Sequence, residues 1–166
     1  STFAELFREC EGTAVHLEMR DAYRRSDPAF TDWKAGIPVN PATHWAEWFG
    51  IVREATQRGV EVRRARIVST PVSEYIRFEY AVTADLNVAA GEEVRWLSRR
   101  RATDLQLPGN DFWVFDSRVV LVNHFDGEAD DMNVEFAQDP MLVKLCTSAF
   151  ECVWERATPH ADFDLS

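Results

Sequence analysis

The sequence predicts a single α/β (α+β) domain over residues 1–166, a mixed sheet of about five to seven strands flanked by helices. Three observations predict it. A helical pattern from Pro41 to Arg58 is followed, across Gly59 alone, by the β-branched run Val60–Val68, the helix, glycine, strand succession of an α/β unit. Two apolar runs, Phe112–Phe115 and Val119–Val122, flank the polar corner Asp116-Ser117, as in a central hairpin buried on both faces. Finally, 166 residues with 46% hydrophobic content, including 11 Phe and 6 Trp, can bury one core without disulfides or metal and are incompatible with disorder.

The elements follow in order. Thr2 and Glu5 form a capping-box pattern, and Phe3, Leu6 and Phe7 give a short first helix its apolar side. Ala14–Met19 alternates, with Val15, Leu17 and Met19 on one side, and reads as a strand. Arg20–Arg25 reads as a polar connection, and Asp27-Pro28 opens a short helix that Gly36 stops. From Pro41 to Arg58, Trp45, Trp48, Phe49, Val52 and Ala55 recur at helical spacing, with Gly59 placed for a left-handed cap.

After the strand Val60–Val68, Thr70-Pro71 reads as the N-cap and first turn of a second long helix toward Asp85. Glu93–Leu97 reads as a strand, and the hairpin spans Phe112–Phe125. The acidic loop Asp126–Asp131 leads to an edge strand Met132–Phe136. Asp139-Pro140 caps a last helix whose stripe is Leu142, Leu145, Cys146, Ala149, Phe150 and Val153. The strands from Val60 and near Val94 and the hairpin are expected to form the centre of the sheet.

Net charge is −10, which repels nucleic acid unless one face gathers the positive charge. No run approaches the roughly 18 apolar residues of a membrane span, and no basic region precedes an apolar stretch at the N-terminus, so a cytoplasmic location without membrane contact is expected. Cys10, Cys146 and Cys152 lack C-x-x-C spacing, which excludes a zinc frame and leaves them as reduced packing residues. No metal and no cofactor is expected.

Positive charge gathers at Arg63-Arg64-Ala65-Arg66 and at Arg95 with Arg99–Arg101. Strand alternation places Arg64 and Arg66 on one face and Arg63 on the other; guanidinium forks suit phosphate or carboxylate, but solvated surface charge is the commoner reading. Trp96, Trp113 and Trp154, with Trp45 and Trp48, can line a ligand pocket or pack a core. Phe30 and Trp33 are the better candidates for an exposed interface. His124, beside Asn123, could serve as a base, although a histidine at a strand end is more often simply hydrogen-bonded. Asp104, Asp111, Asp116, Asp126, Asp130, Asp131 and Glu135 supply hard oxygen donors, yet the loop from Asp126 lacks the glycine and glutamate of an EF-hand and reads as a solvated turn.

The stretch Leu107–Phe125 resembles the site hairpin of the phospholipase D superfamily, where His-x-Lys-x4-Asp precedes a tight turn and a second apolar strand. In that register Asp116 holds the aspartate position, while Gly109 and Asp111 stand at those of the histidine and lysine. None of His16, His44, His124 and His160 is followed two residues later by lysine. The resemblance therefore implies a phospholipase D-like scaffold without its nucleophile or phosphate clamp, a pseudoenzyme.

Val15–Tyr23, Arg64–Tyr75, Ala90–Leu97, Asp111–Asp116 and Phe150–Ala157 are also similar, in order, to an actinobacterial family of unknown function common in Streptomyces. That resemblance implies a regulatory or adaptor role, with a helix-turn-helix regulator as an associated protein partner, and brings no catalytic residues. The superfamily likeness further implies a homodimer through the hairpin side. The first functional expectation is thus a non-enzymatic module binding a protein partner or small ligand, with Arg64, Arg66, Trp96, Trp113 and Asn123 as binding candidates. The second is an enzyme with rebuilt chemistry at Asp111, Asp116 and His124, with metal-dependent phosphoester hydrolysis as its candidate reaction. Direct nucleic-acid binding ranks last.

Overall fold

A computed structural model describes residues 2–128 and 130–166. Strands β1 (Thr13–Glu18), β2 (Glu61–Val68), β3 (Glu93–Ser98), β4 (Asp111–Phe115), β5 (Val119–Phe125), β6 (Met132–Ala137) and the two-residue β7 (Thr158–Pro159) form one sheet, ordered β6-β5-β4-β1-β2-β3-β7. Parallel pairing of β1 with β2 and β2 with β3, and antiparallel pairing elsewhere, makes the sheet mixed, as the sequence predicts. The hairpin β4–β5 lies inside the sheet, and β6 is the edge strand the sequence anticipates. The middle position belongs to β1, which carries buried residues from Ala14 to Glu18 on both faces. The expected centre was therefore displaced by one strand, because a second buried face is invisible when only Val15, Leu17 and Met19 are counted as apolar.

Alternation along the strands assigns the two faces. Val15, Leu17, Ala65, Ile67, Phe112 and Val114 meet helix α6 (Pro140–Arg156), which Asp139 caps by accepting from the Met141 N–H at 3.1 Å. The opposite face is covered by two separate groups of helices. Helices α1 (Phe3–Glu9) and α4 (Ala46–Gln57) cover Ala14, Val62, Trp113 and Phe115 at one end. Helices α2 (Pro28–Lys34) and α5 (Glu74–Thr83) cover Val68, Val94 and Trp96 at the other. Between the two groups the sheet is not roofed.

Local chemistry explains most boundaries. The capping box at Thr2 and Glu5 closes both hydrogen bonds at 3.2 Å, and Asp27 accepts from the Ala29 N–H at 2.8 Å to start α2. Gly36 and Gly59 end their helices at φ of 76° and 102°. Four expectations need correction. The helix read from Pro41 to Arg58 is two, α3 (Pro41–His44) and α4, broken at Trp45 with φ −111° and ψ 44°. The break sends Trp45 to the α2–α5 cluster and Trp48 to the α1–α4 cluster, which one straight helix could not do.

The second long helix is not capped by Thr70, whose hydroxyl is paired with Ser98 at 2.7 Å; Ser73 Oγ accepts from the Ile76 N–H instead. That helix runs into a π-helical turn, Ala84–Val88. Phe30 and Trp33 do not form an exposed interface: Phe30 is buried against Tyr75 and Phe78, and Trp33 packs on the same cluster. Cys10 and Cys146 are buried and free, whereas Cys152 is exposed, so only two of the three are packing residues. No helix is long and apolar enough to cross a membrane among the described residues.

Candidate ligand cleft

The unroofed part of the sheet is the floor of a cavity of about 970 Å³. Its floor consists of two consecutive rungs across the strands. In the first, Leu121, Trp113, His16 and Arg64 stand in register on β5, β4, β1 and β2. In the second, two residues further along each strand, Asn123 is paired with Asp111, and Glu18 with Arg66. Side chains two apart on a strand share a face, so eight residues from four strands point into one space. Tyr23, Trp45, Tyr75, Phe78 and Trp48 form the walls, and Met132, Val134 and Phe136 of β6 line the rim.

A buried charge network sits in this floor. One Glu18 oxygen accepts from Arg64 Nη1 at 2.7 Å and Arg66 Nε at 3.0 Å. Arg64 Nε also donates to Glu92 at 2.9 Å, and Asn87 Nδ2, placed by the π-helical turn, donates to the other Glu92 oxygen at 2.8 Å. Arg66 Nη1 donates to Thr83 at 2.8 Å. Burial opposes the Glu18 carboxylate, but the two guanidiniums outweigh it and hold Glu18 far below the usual carboxylate range. Both arginines are thereby compensated from within the protein.

Other groups facing the cavity are less well satisfied. Glu79 is largely buried, its Oε1 accepts no hydrogen bond, and Arg66 Nε is 3.7 Å away. Burial pushes its carboxyl up to about 7, with Arg66 pulling it down and Glu18 adding to the rise. Asp111 accepts from Tyr23 Oη at 2.5 Å and the Met19 N–H at 2.9 Å, yet burial still raises it to about 6. His16 is 7% exposed, and its Nδ1 is buried without a partner. Burial and then the Arg64 charge lower its pKa well below 6.5, so the ring is neutral at pH 7. Its imidazole lies edge-on to Trp113 at 4.1 Å between ring centres.

Of the residues singled out from sequence, Arg64, Arg66, Asp111, Trp113 and Asn123 line the cavity, with Trp45, Trp48 and the loop aspartates Asp130 and Asp131. Arg64 and Arg66 are not solvated surface charge, being 7% and 5% exposed, while Arg63 on the other face lies over Phe150 and Trp154 of α6. Trp96 is not a cavity residue; it is fully buried, stacked on Phe163, with its N–H donated to His160.

The proposed catalytic set does not assemble. Asp116 lies at the far end of β4 from Asp111, about 16 Å away at the rise of an extended strand. There it accepts from the backbone N–H groups of Glu11, Gly12 and Thr13 at 2.9, 2.7 and 3.0 Å, and those bonds outweigh burial to lower its pKa. His124 points away from the cavity and meets Glu135 across β5 and β6 at 2.9 Å. Among the described residues no three His, Cys, Asp or Glu side chains converge as a metal site.

His16, Glu18, Tyr23, Tyr75, Glu79 and Glu92 were not singled out from sequence. A usable signal existed for two of them: His16-x-Glu18 repeats on β1 the i, i+2 spacing of Arg64-x-Arg66 on β2.

Residues 1–164 match the family described as Domain of unknown function (DUF6879). The chain belongs to this family. A comparison with curated proteins matched none. Among solved structures, this DUF6879 domain is similar to Nuc from Salmonella typhimurium, a phospholipase D family member, at 12% identity and a TM-score of 0.53 over 94% of this chain and 86% of that one. It is also similar to TrmBL2, an archaeal chromatin protein with a novel mode of DNA binding, at 15% identity and a TM-score of 0.50 over 93% of this chain. This chain spans about half of TrmBL2, 47% of its length. Both likenesses concern the fold, which is that of a phospholipase D structure.

Proposed function

We propose that this domain is a non-enzymatic binding module, regulatory or adaptor in role, that takes a small ligand in the cleft on its sheet. One observation carries the reading: a cavity of about 970 Å³, walled by aromatic rings, whose lining residues include His16 and Glu79, with His16 Nδ1 and Glu79 Oε1 buried without hydrogen-bond partners. Unpaired buried polar atoms each cost about 1–3 kcal/mol, and a ligand that pairs them recovers that cost. Gly109 and Asp111 stand where the superfamily register has its nucleophilic histidine and phosphate-binding lysine, which supports the non-enzymatic reading. Asp111, Asp116 and His124 are dispersed, which removes the carboxylate and histidine set read from the sequence. Nucleic-acid binding, the property of TrmBL2, is disfavoured by a cleft lined by Glu18, Asp27, Glu79, Asp111, Asp130 and Asp131 against three arginines.

A fragment library of mixed charge, screened by thermal shift and ligand-observed NMR, tests the reading. At a free concentration about 100 times its Kd, a ligand adds about 2.7 kcal/mol to stability. The expected result is a set of fragments that raise the melting temperature of the wild type but not of Trp48→Ala, which removes part of the wall. No stabilising fragment, or hits indifferent to Trp48→Ala, would overturn it.

A further inference from the structure

We propose that the ligand of this cleft is an organic cation bearing at least one N–H, an ammonium or guanidinium head on an apolar body, with the head beside Glu79 and Asp111 and the body among Tyr23, Trp45, Tyr75 and Phe78. This deepens the small-ligand reading and rests on it.

Charge compensation is the first reason. Arg64 and Arg66 are already paired with Glu18, and Arg64 also with Glu92, so an entering anion meets occupied guanidiniums and surrounding carboxylates. Glu79 and Asp111 are less completely compensated, Glu79 having only Arg66 Nε, 3.7 Å away and already bonded to Glu18. Glu79 Oε1 accepts no hydrogen bond, and the partners of Asp111, Tyr23 Oη and the Met19 N–H, are neutral. A buried carboxylate without a donor is satisfied by an N–H that brings positive charge. A quaternary ammonium, having no N–H, does not meet that need.

The aromatic walls point the same way. Tyr23, Tyr75, Phe78 and Trp45 form a continuous wall, with successive ring centres 6.2, 5.7 and 6.1 Å apart. Other rings at the cavity already hold a protein cation: Arg64 lies 5.6 Å from Trp48 and 5.4 Å from Trp113, and Arg20 lies 5.1 Å from Phe125. Among the described residues no arginine or lysine covers the four wall rings. Ring faces attract cations, and these rings line the same cavity as Glu79 and Asp111. His16 lines the same cavity, and its Nδ1 is buried without a partner. A cavity of this size takes a whole organic molecule rather than a bare ion.

Phenethylammonium and 3-phenylpropanoate, matched in length and opposite in charge, test the inference by isothermal titration calorimetry at pH 7.5 and low salt. Phenethylammonium is expected to bind at least about tenfold tighter, and Glu79→Gln to reduce its affinity about tenfold without loss of folding by circular dichroism. Binding is also expected to release protons, measured as a heat that depends on the buffer. The Glu79 carboxyl that must ionise faces Arg66, Arg64, Glu18, Asp111, Tyr23 and Tyr75. Equal or tighter binding of 3-phenylpropanoate or inorganic phosphate would overturn the cation and leave the small-ligand reading standing. Unchanged phenethylammonium affinity in Glu79→Gln would overturn the seat. Binding of neither probe at about 10 mM would also overturn the inference, while the fragment screen decides the broader reading separately.

Discussion

Replacing Glu79 by glutamine should stabilise the free protein at pH 8 and leave it nearly unchanged at pH 4. In the folded chain the Glu79 carboxyl is raised from its ordinary 4.5 to about 7, chiefly by burial, so the folded state holds this proton more tightly than the unfolded chain. Below pH 4.5 both states are protonated and no penalty exists. Between 4.5 and about 7 the unfolded chain ionises first, stability falls as pH rises, and above that range the full penalty is present.

At about 1.4 kcal/mol per tenfold change in proton affinity, the penalty is about 3 kcal/mol. Glutamine resembles the protonated acid and does not incur it. For a chain of this length each kcal/mol corresponds to about 2–4 °C, so the variant should melt about 6–12 °C higher than wild type at pH 8. Asp111 titrates in the same sense, from 3.8 to about 6, but is common to both proteins and cancels from the difference. Urea and thermal unfolding at pH 4 and pH 8, followed by circular dichroism, give the comparison. Equal stability increments at both pH values, or a variant less stable at pH 8, would refute the idea that Glu79 is an unsatisfied buried carboxyl.

Glu18→Gln should act in the opposite direction, costing about 3–5 kcal/mol in urea unfolding at pH 7, because it removes the negative charge shared by two buried guanidiniums. The Glu18 carboxyl is depressed, so its contribution is complete above about pH 5 and is lost progressively on acidification, which acid titration of wild type against variant will show. Asp116→Ala should cost about 2–3 kcal/mol through three lost N–H bonds to a carboxylate, while leaving fragment affinities at the cleft unchanged. Ser117→Gly should add about 1 kcal/mol, since Ser117 sits at φ 53° in the β4–β5 turn, where glycine is unstrained.

Much of the frame was legible because local signals agree with the tertiary fold. The caps at Thr2, Asp27 and Asp139, the left-handed glycines 36 and 59, and the alternation of β2 and the hairpin each state their element locally. The bend at Trp45 was not legible, because its cause lies in two distant aromatic clusters competing for neighbouring tryptophans. The site was legible only in part. Arg64 and Arg66 could be placed on one face, but their burial depends on Glu18 and Glu92, which reach them from β1 and from the turn after the π-helical segment. Tyr23 looked like part of a polar connection, although its hydroxyl bonds to Asp111 across 88 residues of sequence. Asp111 and Asp116 looked like one acidic hairpin, and only the length of β4 separates them.

Fluorine NMR of the protein labelled with 5-fluorotryptophan, titrated with the hits of the fragment screen, addresses the cleft most directly. Trp45, Trp48 and Trp113 line the cavity, while Trp33, Trp96 and Trp154 do not, so the six resonances divide into reporters and internal controls. Saturable shifts confined to the three cavity tryptophans are predicted. Hits that leave all six unmoved, or that act at Trp33 or Trp154, would contradict a ligand site on this sheet.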